Sequence, residues 1–146
     1  PLAVGICFEA AYPLVIGDGV ARGGQAIVVP SNNYHFRSSG ESAQQGQLLR
    51  MRAMEYSRSA VQASTTGHSY VIRPDGSILA STGTEEAATL AADIPLRTSQ
   101  TLTALAGERI PGAVMVATLI IAILATATVI GQGIRASARA RRASGH

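Results

Sequence analysis

The residues best suited to chemistry lie at the start of the chain, in Val4-Gly5-Ile6-Cys7-Phe8-Glu9, which holds the only cysteine. A thiolate attacks an acyl carbon readily, and the resulting thioester stays reactive toward a second nucleophile. Apolar Val4 and Ile6 flank Gly5, so the run reads as a buried strand that delivers Cys7 at its end. Pro13 follows shortly and suits the first turn of a helix. A strand that stops at a nucleophile and turns into a helix aims the side chain outward, with backbone N–H groups nearby for an oxyanion. The alternative for these six residues is commoner: a lone cysteine as a small, inert, buried hydrophobe. A nucleophilic thiol also needs a base or a cation, and a carboxylate alone disfavours a neighbouring thiolate. Glu9 is therefore not enough by itself.

A second set follows the apolar run Ala26-Ile27-Val28-Val29-Pro30, which reads as a buried strand. Asn32, Asn33, Tyr34 and His35 occupy the loop just beyond it, where binding residues commonly sit. An ordinary asparagine turn is the other reading. A third set is Arg52 and Glu55, three apart on a helix expected over residues 42–59. If exposed, the pair contributes a few tenths of a kcal/mol; if buried and facing the site, Glu55 supports it. The interleaved Met51 and Met54 are expected to place that helix against the core. His35 and His68 are alternative partners for a cysteine–histidine arrangement. The three histidines and one cysteine lack metal-ligand spacing, so no metal and no cofactor is expected.

The elements that must hold these residues can be read in order. The stretch from Pro13 to Arg22 is helical in pattern but carries Gly17 and Gly19, which read as loose helix or turn, and Gly23-Gly24 stops it. Residues 61–65 read as a strand. Tyr70-Val71-Ile72 and Ile78-Leu79-Ala80 flank Pro74-Asp75-Gly76 as a hairpin, and Leu90–Ile94 reads as one more strand. Residues 1–105 thus form one α/β unit. The chain opens in mid-strand and is expected to be part of a longer protein.

The end of the chain differs. From Ile110 to Gly131 no residue is charged, and at about 1.5 Å per residue these positions span roughly 33 Å, a hydrocarbon core's thickness. The segment 110–131 reads as a transmembrane helix and 132–146 as a basic tail. Arg135, Arg139, Arg141 and Arg142 place the tail in the cytoplasm and residues 1–105 outside. They also account for the net charge of +3 and pI of about 9.6. Without the tail the chain is near neutral, so nucleic acid is not an expected partner. All 12 basic side chains are arginine.

Together these stretches resemble the nitrilase, or carbon–nitrogen hydrolase, superfamily. The resemblance rests on Gly5-Ile6-Cys7-Phe8-Glu9, Val29-Pro30-Ser31-Asn32-Asn33, and Arg50-Met51-Arg52-Ala53-Met54-Glu55 with Arg58. Thr66-Gly67 and Arg73-Pro74-Asp75-Gly76-Ser77 continue the order. Within the superfamily, the terminal apolar helix and basic tail resemble the C-terminal part of the apolipoprotein N-acyltransferases. The resemblance implies an α-β-β-α sandwich and a Glu-Lys-Cys triad. It implies Cys7 as nucleophile, the Phe8 N–H as oxyanion donor and Glu9 as a supporting carboxylate. It further implies Asn32, Asn33, Tyr34 and His35 as substrate contacts, and Arg52 and Glu55 as structural support. The implied partners are a phospholipid acyl donor, an apolipoprotein acceptor and the cell membrane. The family's base glutamate and its lysine precede the nucleophile, and this chain has no lysine, so the triad is not completed here. The loop also departs from the family, which often shows aspartate and tryptophan where Asn33 and His35 stand. A membrane-tethered amidase and an inactive chain are the alternatives.

Overall fold

The computed structural model describes residues 1–36, 39–84, 86–107 and 109–143, with side chains in the last helix described as far as Gln132. Two units are distinct: Pro1–Gly107 and Glu108–His146.

The first unit is one mixed sheet with helices on it. Strands β1 (Ala3–Val4), β2 (Ala26–Ser31) and β3 (Ser59–Ser64) run parallel. Strands β4 (Tyr70–Ile72) and β5 (Ile78–Ser81) continue antiparallel, in the order β1-β2-β3-β4-β5. The parallel pairs require crossovers. Helix α1 (Pro13–Ala21) makes the first and α2 (Glu41–Tyr56) the second.

Register partners share a face of a sheet, and alternate residues face opposite ways. The row Ala3–Ile27–Ala60–Ile72 crosses four strands, and all four residues are fully buried. Ile16 and Val20 of α1 join them in one core with Leu49, Ala53 and Tyr56 of α2. The next row, Val4–Val28–Val61, lies on the opposite face. Val28 and Val61 are half-buried there and Val4 is 54% exposed. Helices thus cover one face of the sheet, which is one α/β half of the expected sandwich.

Several expectations are corrected. Val4 and Ile6 are exposed rather than buried, because Val4 points away from the helix-covered face and the strand ends before Ile6. Gly17 and Gly19, read as loose helix or turn, sit inside helix α1. Their role is close approach: a Cβ on Gly17 would stand 2.7 Å from the Tyr56 hydroxyl, which itself donates to the Pro13 carbonyl. Helix α2 ends at Tyr56, with Ser57 in the left-handed region at φ 50°, so residues 57–59 leave the helix. Leu90–Ile94 is not a strand. Residues 86–101 run without regular structure because their neighbours are not a strand edge. Arg97 N–H donates to the Gln25 carbonyl and the Ser59 hydroxyl donates to the Pro95 carbonyl.

Arg58 joins these segments. It is almost fully buried, and it donates to the carbonyls of Gly24, Tyr56, Ser57 and Ser99. Burial pulls its pKa down, with Arg97 adding to the effect. A planar guanidinium can satisfy several carbonyls at once, which a lysine ammonium does less well. A short helix, α3 (Leu102–Ala106), follows, capped by the Thr101 hydroxyl.

The second unit is helix α4 (Arg109–Ala143). An 18-residue window within its stretch Arg109–Gln132 has mean hydropathy 2.6 and is unburied. Among the described residues it is the one helix long and apolar enough to cross a membrane. Thr118, Thr126 and Thr128 return their hydroxyls to carbonyls of the helix itself, as an apolar environment requires. The backbone stays helical past the span, while the side chains of Arg135, Arg139, Arg141 and Arg142 lie outside the described residues, as does His146.

Arg52 and Glu55 on α2 form an ion pair at 2.6 Å, with side chains only 10% and 21% exposed. The cause is not the one expected, since Met51 and Met54 are about half exposed and Leu49, Arg52, Ala53 and Tyr56 form the buried face. Burial raises the Tyr56 pKa, with Glu55 adding to the rise and Arg52 opposing it. Removing one partner of a buried pair strands the other charge. Glu55→Gln should therefore lower stability by about 1–3 kcal/mol, less than for a fully buried pair because Glu55 keeps some solvent. Urea unfolding measures this. Arg52→Met/Glu55→Met should recover much of the loss, and an unchanged midpoint for Glu55→Gln would return the pair to the solvent-screened class.

Candidate active site

Cys7 sits where β1 has just ended. Gly5 N–H still donates to the Val28 carbonyl at 3.1 Å, which ties the chain to β2 as far as the residue before Ile6. Gly5 is buried beneath Ile16, and a Cβ there would meet Ile16 Cδ1 at 2.7 Å. The chain then turns into a 3₁₀ segment, Cys7–Ala11. Cys7 adopts φ 52°, the left-handed region. An L-residue there costs about 1–2 kcal/mol, and such strain concentrates at functional positions.

Two reciprocal bonds hold this turn. Glu9 N–H donates to the Ile6 carbonyl at 2.9 Å, and Ile6 N–H donates to Glu9 Oε2 at 2.7 Å. The Glu9 carboxylate is thus turned back onto the backbone that precedes the cysteine, as the Glu of a capping box does. Phe8 follows Cys7 at the start of the turn, where main-chain N–H groups have no acceptor within the helix. Its ring is exposed and stands edge-on to Tyr12, with centroids 6.0 Å apart.

Beside the sulfur lies a cavity of about 380 Å³. Its walls include Cys7, Phe8, Asn33, Phe36, Gln45 and Leu48, with Glu41 and Gln44 also contributing. Gln45 Nε2 donates to Cys7 Sγ at 3.6 Å. The α2 residues reach the site because Glu41, Gln45 and Leu48 fall on one side of the first two turns of that helix.

The four loop residues separate. Asn33 is buried, donates from Nδ2 to the Ser42 hydroxyl at 3.3 Å, and lines the Cys7 cavity. Tyr34 lines a different cavity of about 400 Å³, where Ser42, Ser64, Thr66, Ser69 and Thr82 supply hydroxyls; Asn33 is common to both. Asn32 accepts from Tyr34 N–H and the Thr66 hydroxyl, both at 3.1 Å, and so builds the turn. His35 is exposed and stacks edge-on with Tyr34. Asn32 and His35 do not line the Cys7 cavity. His68 does not either; its Nδ1 lies 2.9 Å from the Thr82 carbonyl. Arg52 and Glu55 stand further along α2 and are not cavity walls.

Sequence reasoning missed Gln45, Leu48 and Phe36. Gln45 carried a usable signal: with Leu49, Arg52 and Tyr56 it continues the buried stripe of α2 at helical spacing. No group of three or more acidic, histidine or cysteine side chains that could hold a metal occurs among the described residues.

The carbon–nitrogen hydrolase family model matches residues 1–104. The apolipoprotein N-acyltransferase of Mycolicibacterium smegmatis is 36% identical over 127 residues, covering 85% of this chain and 21% of that protein. The enzyme of the same name from Shewanella oneidensis is 35% identical over 107 residues, covering 73% of this chain and 21% of that protein. This chain therefore spans about a fifth of the length of these relatives. Among solved structures, Saccharomyces cerevisiae Nit3, a member of branch 10 of the nitrilase superfamily, is 26% identical with a TM-score of 0.51, over 57% of this chain and 34% of that one. A strand that ends at a cysteine in a strained turn, a mixed sheet and these matches agree: the chain belongs to the carbon–nitrogen hydrolase family, in its nitrilase-like fold, and is similar in sequence to apolipoprotein N-acyltransferases.

Proposed function

We propose that this chain is the C-terminal, nucleophile-bearing part of an apolipoprotein N-acyltransferase, with Cys7 as the acyl carrier. The observation that carries the reading is Cys7 itself, held at positive φ at the mouth of a cavity with Phe8, Phe36 and Leu48 in its walls. Those apolar walls suit an acyl chain. The relatives' name supplies the acceptor class.

The reaction balances in two steps. Cys7 Sγ, as thiolate, attacks the ester carbonyl of a phospholipid. The tetrahedral intermediate expels the lysophospholipid oxygen, which takes up a proton, and the thioester remains. The amino group of a lipoprotein's N-terminal cysteine then attacks the thioester. An amide forms, the thiolate leaves and the amine loses a proton. Phe8 N–H supports the oxyanion, and Glu9 holds the turn from which it points. The base and the cationic half of the oxyanion site come from a lysine-bearing part of a longer polypeptide, because this chain has no lysine. Losing one oxyanion donor typically costs about 100- to 1,000-fold in rate, so the chain alone is not expected to turn over.

Helix α4 keeps this chemistry at a bilayer, where donor and acceptor both reside. The uncharged span with arginines following it supports one orientation: residues 1–105 outside and the tail in the cytoplasm. Cysteines introduced at positions 92 and 140 test this in Cys7→Ser full-length protein. An impermeant maleimide applied to intact cells should label position 92 alone, and equal labelling of both contradicts the orientation.

A membrane-tethered amidase differs in the second nucleophile. Full-length protein given phospholipid with a labelled acyl chain and a diacylated peptide bearing a free N-terminal cysteine separates the two. Label on the peptide amine, lost in Cys7→Ser, is the expected result. Free fatty acid with no labelled peptide supports the amidase and overturns the transferase reading.

A further inference from the structure

We infer that Gln45 is the positioning residue for Cys7, holding the sulfur through its side-chain amide during acylation. The inference rests on the reading of Cys7 as nucleophile and adds a residue from a distant element to it.

Gln45 is only 6% exposed, on the core-facing stripe of α2 beside Leu49. Burying a polar amide is unfavourable unless its groups find partners. Here Nε2 donates to Cys7 Sγ at 3.6 Å, across 38 residues of sequence. The other end, Oε1, is buried without a hydrogen-bond partner. A glutamine serving only the fold would satisfy both ends or be replaced by an apolar side chain of similar volume at little cost. This amide instead spends its one bond on the sulfur and borders the cavity where substrate would enter.

The geometry also explains how a mobile side chain is fixed. Cys7 has one rotatable side-chain bond, and its backbone is pinned by the Ile6–Glu9 pair. The remaining freedom is the rotamer of Sγ. A donor fixed on a helix selects the rotamer that faces the cavity and stabilises negative charge on the sulfur, since charge-assisted bonds are the stronger ones. Helix α2 is itself anchored, with Tyr56 donating to the Pro13 carbonyl at its far end. The sulfur is thereby positioned from two elements, its own turn and α2.

The test measures the single-turnover rate of Cys7 acylation in full-length protein with labelled phospholipid and no acceptor. Gln45→Met keeps the length and removes the N–H. Gln45→Glu keeps the shape and puts a carboxylate in the donor's place. Both should slow acylation by roughly ten- to a hundredfold, the range for a lost hydrogen bond to a charged group, while the phospholipid concentration giving half-maximal rate changes less than twofold. A general loss of structure would move the melting temperature and the half-maximal concentration together; whichever variant keeps the wild-type melting temperature decides. Wild-type acylation rates in that variant would overturn the role of Gln45 while leaving Cys7 in place. Absence of acyl on Cys7 in the wild-type protein would remove the nucleophile and Gln45's role with it.

Discussion

The structure depends on one constraint: a cysteine must be held in a left-handed backbone conformation that L-residues avoid. At φ 52°, Cys7 carries a backbone cost of about 1–2 kcal/mol. The surroundings hold it there. Strand β1 is only two residues long, but it is locked onto β2 by the register Ala3↔Ile27 and Val4↔Val28 and by the Gly5–Val28 bond. Glu9 closes the turn from the other side. Gly5 lets Ile16 approach from α1, so the turn is pressed from beneath as well as tied at both ends. The fold's core row and its two parallel crossovers then read as the frame for this corner.

Two buried arginines organise the electrostatics of the first unit. Arg58 is a buried cation satisfied wholly by carbonyls, and Arg52 is a buried cation paired with Glu55. Both stabilise the packing of α2 and the segments around it. Neither lines the cavity at Cys7, where Glu41 is the one charged residue among the described lining residues. The described residues give that cavity a nucleophile, a neutral donor and the apolar groups Phe8, Phe36 and Leu48.

Much of the frame was legible in the sequence because its signals are local. The apolar run of β2, Pro13 at the start of α1, the Gly23 stop and the Pro74-Asp75-Gly76 hairpin each specify their own conformation. Gly23 and Gly76 do take positive φ. Asp75 accepts from both the N–H and the hydroxyl of Ser77, which hold its carboxyl below the usual range. What was not legible depends on contacts between distant segments. The strand expected at Leu90–Ile94 fails because Ser59, Arg58 and Gln25 engage the residues that follow it. The methionines of α2 face outward because Gln45, Leu49, Arg52 and Tyr56 take the buried stripe, two of them polar. At the site, Cys7, Phe8 and Asn33 line one cavity, whereas Tyr34 lines the hydroxyl-bearing one and His35 is exposed. A loop's residue types announce function without saying which side chain turns inward.

The central claim is that Cys7 carries the acyl group, and locating the covalent adduct tests it most directly. Full-length protein is incubated with phospholipid in the absence of any amine acceptor, then digested and analysed by mass spectrometry with and without neutral hydroxylamine. The account predicts one acyl chain on the peptide containing Cys7, removed by hydroxylamine as a thioester must be. An acyl group found on any other residue, or one on this peptide that survives in Cys7→Ser, would contradict it.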